Sequence, residues 1–192
     1  MKTTNLSPSL FSGVGYNVNI PWNKDMMSNS EYHAAFERVV VPIARQFRAE
    51  LVLVACGFDA AAADLLGEYV LTPPMYGHMT RRLISVLEDA AAMDYGIDGG
   101  VGDSTNGAAA SKDKAVGGGG KAASSVNLPQ GKIVLSLEGG YNSVAIGESL
   151  QSCIEALLGE DEKEKIQVNE PCKRAQQSIT AVLKEQSQYW KL

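Results

Sequence analysis

The sequence predicts an α/β domain built on a parallel sheet, and two apolar runs carry most of that prediction. LVLVACGFDA at 51–60 and KIVLSLEGGYN at 132–142 are apolar stretches rich in β-branched residues, and each stops in a Gly turn. Neither alternates cleanly between apolar and polar, which suits strands covered on both faces, as in a parallel sheet. Amphipathic helical patterns lie between and after them, and strand alternating with helix implies parallel pairing through right-handed crossovers. Ligands of such sheets bind outside the carboxyl ends of the strands. Each run places a polar residue there: Asp59 four positions after Ala55, and Tyr141 four after Leu137. A carboxylate and a phenol delivered to one rim form a chemical pair.

In chain order, Asn17–Trp22 alternates weakly and reads as a short strand end at Pro21-Trp22. Ser28 or Ser30 can cap a helix running to about Arg48, with Tyr32, Phe36, Val40, Ile43 and Phe47 at three- or four-residue spacing. Pro42 falls inside that pattern and should kink the helix. Strand 51–55 follows, then a loop through Asp59. Pro74 suits the first turn of the next helix, which carries Met79, Leu83, Val86 and Ala90 on one face. Strand 132–137 leads into a helix from Ser143 to Leu158, with Gly159 as its C-terminal cap. A charged linker at Glu160–Lys165 precedes a last amphipathic helix from about Cys172 to Tyr189.

Residues 94–131 break the pattern. They are rich in Gly, Ala and Ser, and they read as a disordered surface insertion that cannot bury enough apolar area to offset its ordering entropy. GGGGK at 117–121 lacks the P-loop spacing and its following Ser or Thr. With 192 residues and 45% hydrophobic content, one domain with its own core is expected. A net charge of −5 and a pI near 5.1 argue against nucleic-acid binding through a basic surface. Three cysteines without CxxC spacing imply neither a disulfide framework nor a zinc knuckle, and fit a reducing compartment. The sequence has no 18-residue apolar span and no secretory h-region, so no membrane association is expected.

GFDA at 57–60, LLGEY at 65–69, PPMYGHMT at 73–80 and LEGGYN at 137–142, in this order, resemble the zinc-dependent histone deacetylases. GVGYNVNIPWN at 13–23 resembles the segment that precedes those motifs in the family, and LEGGY resembles its class II branch. SLQSCIEALLGE at 149–160 and SITAVLKEQSQYWKL at 178–192 resemble class IIb, tubulin-deacetylase-like enzymes. The resemblance covers roughly 13–93 and 131–192, and implies a three-layer, arginase/deacetylase-like sandwich. The family's catalytic domain also holds a tandem His pair and an Asp-x-His that supplies two zinc ligands. Neither motif occurs here, where the only histidines are His33 and His78. The expectation is therefore the carboxyl-terminal part of such a domain, truncated on its N-terminal side. Residues 1–12 stand outside the match, 13–159 carry the domain with its 94–131 insertion, and 160–192 form the linker and last helix.

By resemblance, Asp59 falls on the motif's third zinc ligand; read from the residues alone, it is equally an Asp capping a turn. One ligand does not hold zinc tightly. Tyr141 falls on the catalytic tyrosine, whose phenol can donate a hydrogen bond to the oxyanion formed from an acetyl carbonyl. Gly139 and Gly140 let the backbone turn and the substrate approach. Leu66 aligns with a residue lining the acyl-lysine channel, with an ordinary packed loop Leu as the alternative. Leu65 and Glu68 stand where the family often has Pro and Gly. Tyr16 matches a position whose backbone helps hold a structural monovalent cation, K+, though a plain strand Tyr serves equally. His33 and His78, 45 residues apart, read as structural, and Cys56 as a small buried residue rather than a reactive thiol.

The reading is a zinc-dependent protein lysine deacetylase that hydrolyses acetyl-lysine on a histone, tubulin or another protein, in the cytoplasm or nucleus. This chain alone is expected to be inactive. The alternative is a non-catalytic module that keeps the back half of the fold for protein interaction.

Overall fold

The computed structural model describes residues 13–23, 25–64, 66–94 and 132–192. The insertion expected at 94–131 therefore lies almost wholly outside the described residues, as do 1–12 and Leu65. The chain runs as α1 (Asn29–Ala35), a π turn (Phe36–Val40), α2 (Val41–Phe47), β1 (Leu51–Cys56), α3 (Pro73–Asp94), β2 (Lys132–Leu137), α4 (Ser143–Leu157) and α5 (Lys173–Gln186). β1 and β2 pair in parallel and side by side, with Leu51 opposite Lys132 and Cys56 opposite Leu137. The fold is thus α/β with a parallel sheet.

Ser28 caps α1 in a capping box, accepting from Ser30 N while Glu31 Oε2 accepts from Ser28 N at 2.8 Å. The other Glu31 oxygen accepts from Cys172 N at 2.9 Å, so one buried carboxylate ties the start of α1 to the start of α5. Burial alone would raise the Glu31 pKa, but the donors from Ser28 and Cys172 outweigh it and hold the carboxyl below its usual range. The disturbance expected at Pro42 takes the form of the π turn: Val41 N donates to Phe36 O, five residues back. Proline cannot donate the next helical bond, and a widened turn just before it accommodates the missing N–H. The helix then ends at Arg48, in the left-handed conformation with φ 56°.

The strand end expected at 17–22 does not form. Val18, Ile20 and Trp22 still point inward as the alternation implied, but they pack on Ala35, Val39, Ile179 and Val182, between the first helices and α5. The periodicity was a packing signal without a strand partner. A second cluster, Phe58, Leu71, Met75, Tyr76, Ala145 and Cys153, joins the carboxyl ends of the strands to α3 and α4. Cys56 and Leu135 reach it from the sheet, so the helices cover that face. Asn142 caps α4, its Oδ1 accepting from Val144 N and Ala145 N at 3.0 and 3.1 Å.

The opposite face of the sheet is not covered by any described residue. Leu53 is 72% exposed and Val134, its direct neighbour in the register, 53%. Contiguous exposed apolar surface marks a site that another part of a protein covers. The chain should therefore bind an apolar dye such as ANS. A Leu53→Thr/Val134→Thr variant should lose much of that fluorescence with unchanged far-UV circular dichroism; unchanged fluorescence would show the face to be covered.

Candidate active-site rim

In-register pairing puts the residues after Cys56 and those after Leu137 at the same end of the sheet. The two loops then bond directly: Glu138 N donates to Cys56 O at 3.1 Å, and Phe58 N to Gly139 O at 2.8 Å. The Asp59 carboxylate lies in a slot made by missing side chains. A Cβ on Gly57 would stand 3.3 Å from Asp59 Oδ1, and one on Gly139 3.4 Å from Oδ2. A Cβ on Gly67 would overlap the Asp59 carbonyl, so this loop passes over Asp59 only because residue 67 is glycine. Gly140 has φ +121°, a conformation that L side chains rarely adopt, and a Cβ there would also press on Phe58.

Asp64 joins the pieces, and sequence reading missed it. Its Oδ2 accepts from Tyr141 N at 2.7 Å, and its Oδ1 accepts from Leu66 N at 2.9 Å and Gly67 N at 3.1 Å. Asn142 Nδ2 donates to Ala63 O at 3.0 Å beside it. One half-buried carboxylate thus fixes the Tyr141 turn to the Leu66 loop, and the Tyr141 and Leu66 side chains, each 68% exposed, flank this tie. The donation from Tyr141 N, followed by that from Leu66 N, holds the Asp64 carboxyl below its ordinary range. An Asp two residues before an exposed turn is a recognisable local pattern, but its second partner is 77 residues away and invisible in one dimension.

Residues 8–94 match the family described as histone deacetylase domain. Histone deacetylase clr3 of Schizosaccharomyces pombe is 35% identical over 179 residues, which are 93% of this chain and 20% of that protein. The polyamine deacetylase HDAC10 of Danio rerio is 32% identical over 178 residues, again 93% of this chain and 20% of the other. Among solved structures, histone deacetylase Clr3 superposes with a TM-score of 0.68 at 35% identity, covering 93% of this chain and 23% of that one. The HD domain of HDA15 gives 0.65 at 30% identity, covering 92% and 37%. The chain belongs to the histone deacetylase domain family. It spans about a fifth of the length of these two curated relatives.

The structure of this deacetylase-family chain brings Asp59, Gly139, Gly140, Tyr141 and Leu66 to one rim, and leaves Tyr16 outside it. Tyr16 lies in no strand; its ring packs edge-on against Phe47 and Trp190, with centroids 5.9 and 5.6 Å away. Cys56 is turned toward Cys153. The neighbouring Cys153 thiol, with burial, pushes the Cys56 thiol well above the usual thiol range. Catalytic zinc takes three protein donors and a water. Among the described residues, no group of three metal-ligating side chains includes Asp59, so the rim as described does not complete a zinc site.

Two outcomes check this geometry. Gly67→Ala should destabilise the chain by about 1–3 kcal/mol through backbone overlap. Glu68→Gly should instead stabilise it by about 1 kcal/mol, because Glu68 sits at φ 53°. Chemical denaturation of the two variants should move in opposite directions. Asp64 has a depressed folded pKa, so its tie is present above the unfolded value of 3.8 and is lost as pH falls through the lower folded value. The Tyr141 and Leu66 amide resonances should titrate with a midpoint below 3.8; a midpoint at or above 3.8 would deny the tie.

Proposed function

We propose that this chain supplies one side of a deacetylase active site that hydrolyses an acetylated lysine of a protein, with Asp59 as one zinc ligand and Tyr141 as the oxyanion donor. The observation that supports this reading is the convergence of the Asp59 slot and the Tyr141 turn, held together by the Phe58–Gly139 bond and by Asp64. Zinc in such a site polarises the acyl carbonyl and activates water. Asp59 alone does not hold it, so the remaining ligands and the proton-transfer histidines come from protein outside the described residues.

The chain's own contribution is positional. Gly139 and Gly140 keep the approach to Asp59 free of side chains. Leu66 offers an apolar wall to the lysine methylenes, each worth about 0.8 kcal/mol when buried. The Tyr141 phenol donates to the developing oxyanion, an interaction that strengthens as negative charge forms.

A second reading, a non-catalytic module that binds protein through the back half of the fold, is favoured by one observation: no described trio of ligands includes Asp59.

A chimera separates the two. The chain alone should not deacetylate an acetyl-lysine peptide. Residues 13–192 exchanged for the matching segment of the Clr3 catalytic domain should restore turnover. In that chimera Tyr141→Phe should lower turnover by about 10²–10³ with little change in substrate binding. Asp59→Asn should lose zinc content first. An inactive but folded chimera would favour the non-catalytic module, and full activity of the Phe variant would remove Tyr141 from the mechanism.

A further inference from the structure

His33 and His78 lie 45 residues apart on different helices, yet the fold stacks their rings with centroids 5.3 Å apart and planes 37° from parallel. Glu37, one turn after His33, joins them, and one donor atom from each of the three residues lies within 4.8 Å of the other two. We propose that His33, Glu37 and His78 bind a divalent transition-metal ion of the zinc class, at a site that does not involve Asp59.

The decisive observation is the state of the His78 ring. Its Nδ1 lies 3.1 Å from Glu162 Oε1, and a carboxylate accepts, so Nδ1 carries the hydrogen. In the neutral ring Nε2 then keeps the lone pair, and it is a buried nitrogen with no hydrogen-bond partner. Buried polar atoms without partners are rare and call for a cause. Nε2 stands 4.0 Å from Glu37 Oε1, which is beyond a hydrogen bond and close to the spacing of two ligands around one ion. Tetrahedral zinc with bonds near 2.1 Å separates its donors by about 3.4 Å, so small side-chain adjustments close the set. A carboxylate holding the far nitrogen of a ligand histidine is the usual way its tautomer and orientation are set.

The other two donors fit the same role. His33 brings the second imidazole, its ring stacked 5.3 Å from that of His78, and a neutral imidazole presents one ring nitrogen as a lone-pair donor. Arg82 donates to Glu37 from Nε at 2.6 Å and Nη2 at 2.8 Å, fixing the carboxylate. Each carboxylate oxygen has a second lone pair, so Oε1 can still face an ion while Arg82 stays bonded. Around the trio, the charges of Glu37 and Glu162 are balanced by Arg82 and by Arg81, whose Nη1 is 3.8 Å from Glu162 Oε1. The ion enters a surround whose charges are nearly balanced. Two imidazoles and one carboxylate select late first-row ions over calcium or magnesium, which prefer all-oxygen sets. The π turn begins at Phe36, directly beside Glu37, and such widened turns recur at functional sites.

The test is a zinc titration of the full chain in competition with a chromophoric chelator. One zinc per chain is expected. His33→Gln and His78→Gln should each weaken it by at least about tenfold, and Glu162→Gln by a similar factor through the ring it orients. Cobalt should bind in the same stoichiometry with a visible ligand-field band that both His variants abolish. Asp59→Asn should leave the titration unchanged, which keeps this site distinguishable from the deacetylase reading. Absence of stoichiometric zinc binding overturns the proposal. So does binding that survives in a folded His33→Gln variant, or that disappears with Asp59→Asn.

Discussion

Parallel, in-register pairing of β1 with β2 is the constraint on which the rest of the rim depends. Cys56 opposite Leu137 forces the two following loops to leave the sheet at one end and at one height. The bonds from Glu138 N to Cys56 O and from Phe58 N to Gly139 O then extend the pairing past the strands. A slip of one residue would reverse which side chains face α3 and α4, and it would carry Gly139 away from Asp59. The Asp59 slot, the Tyr141 turn and the packing of Phe58 are all consequences of that register.

Glycine makes the close approach feasible. Gly57, Gly67 and Gly139 each leave room that a methyl group would take from Asp59, while Gly140 supplies a backbone conformation that other residues resist. Ala63 and Glu68 adopt left-handed φ values of 73° and 53° in the same loop without that freedom. Strain held by non-glycine residues next to a candidate site persists only where surrounding bonds over-determine it. Asp64 provides such bonds, to Leu66, Gly67 and Tyr141.

The open sheet face and the rim at Asp59 belong to the same two strands. A parallel sheet is stable with helices on both faces, whereas the described residues cover one. The proposed reading, in which other protein supplies the remaining ligands, accounts for both the apolar exposure at Leu53 and Val134 and the lack of a described ligand trio around Asp59. The chain spans about a fifth of the clr3 chain and of the Danio rerio HDAC10 chain. Among the described residues, no helix is long and apolar enough to cross a membrane.

Much of this was legible in one dimension. The apolar runs marked β1 and β2, Ser28 or Ser30 offered a cap for the first helix, and Pro74 suited the first turn of α3, because these signals act over a few residues. Asp59 and Tyr141 could be placed at strand ends for the same reason. Tertiary structure alone decided what depends on distant partners. The alternation of Val18, Ile20 and Trp22 reported burial correctly, but whether a strand forms depends on a neighbour with free backbone groups, and helix α5 lies there instead. Asp64 was silent because its Tyr141 partner is 77 residues on. His33 and His78 read as separate structural residues because neither periodicity nor spacing shows that α1 and α3 cross at those positions. Packing of the helices brought two imidazoles and a carboxylate together, and the same packing left one ring nitrogen buried without a partner.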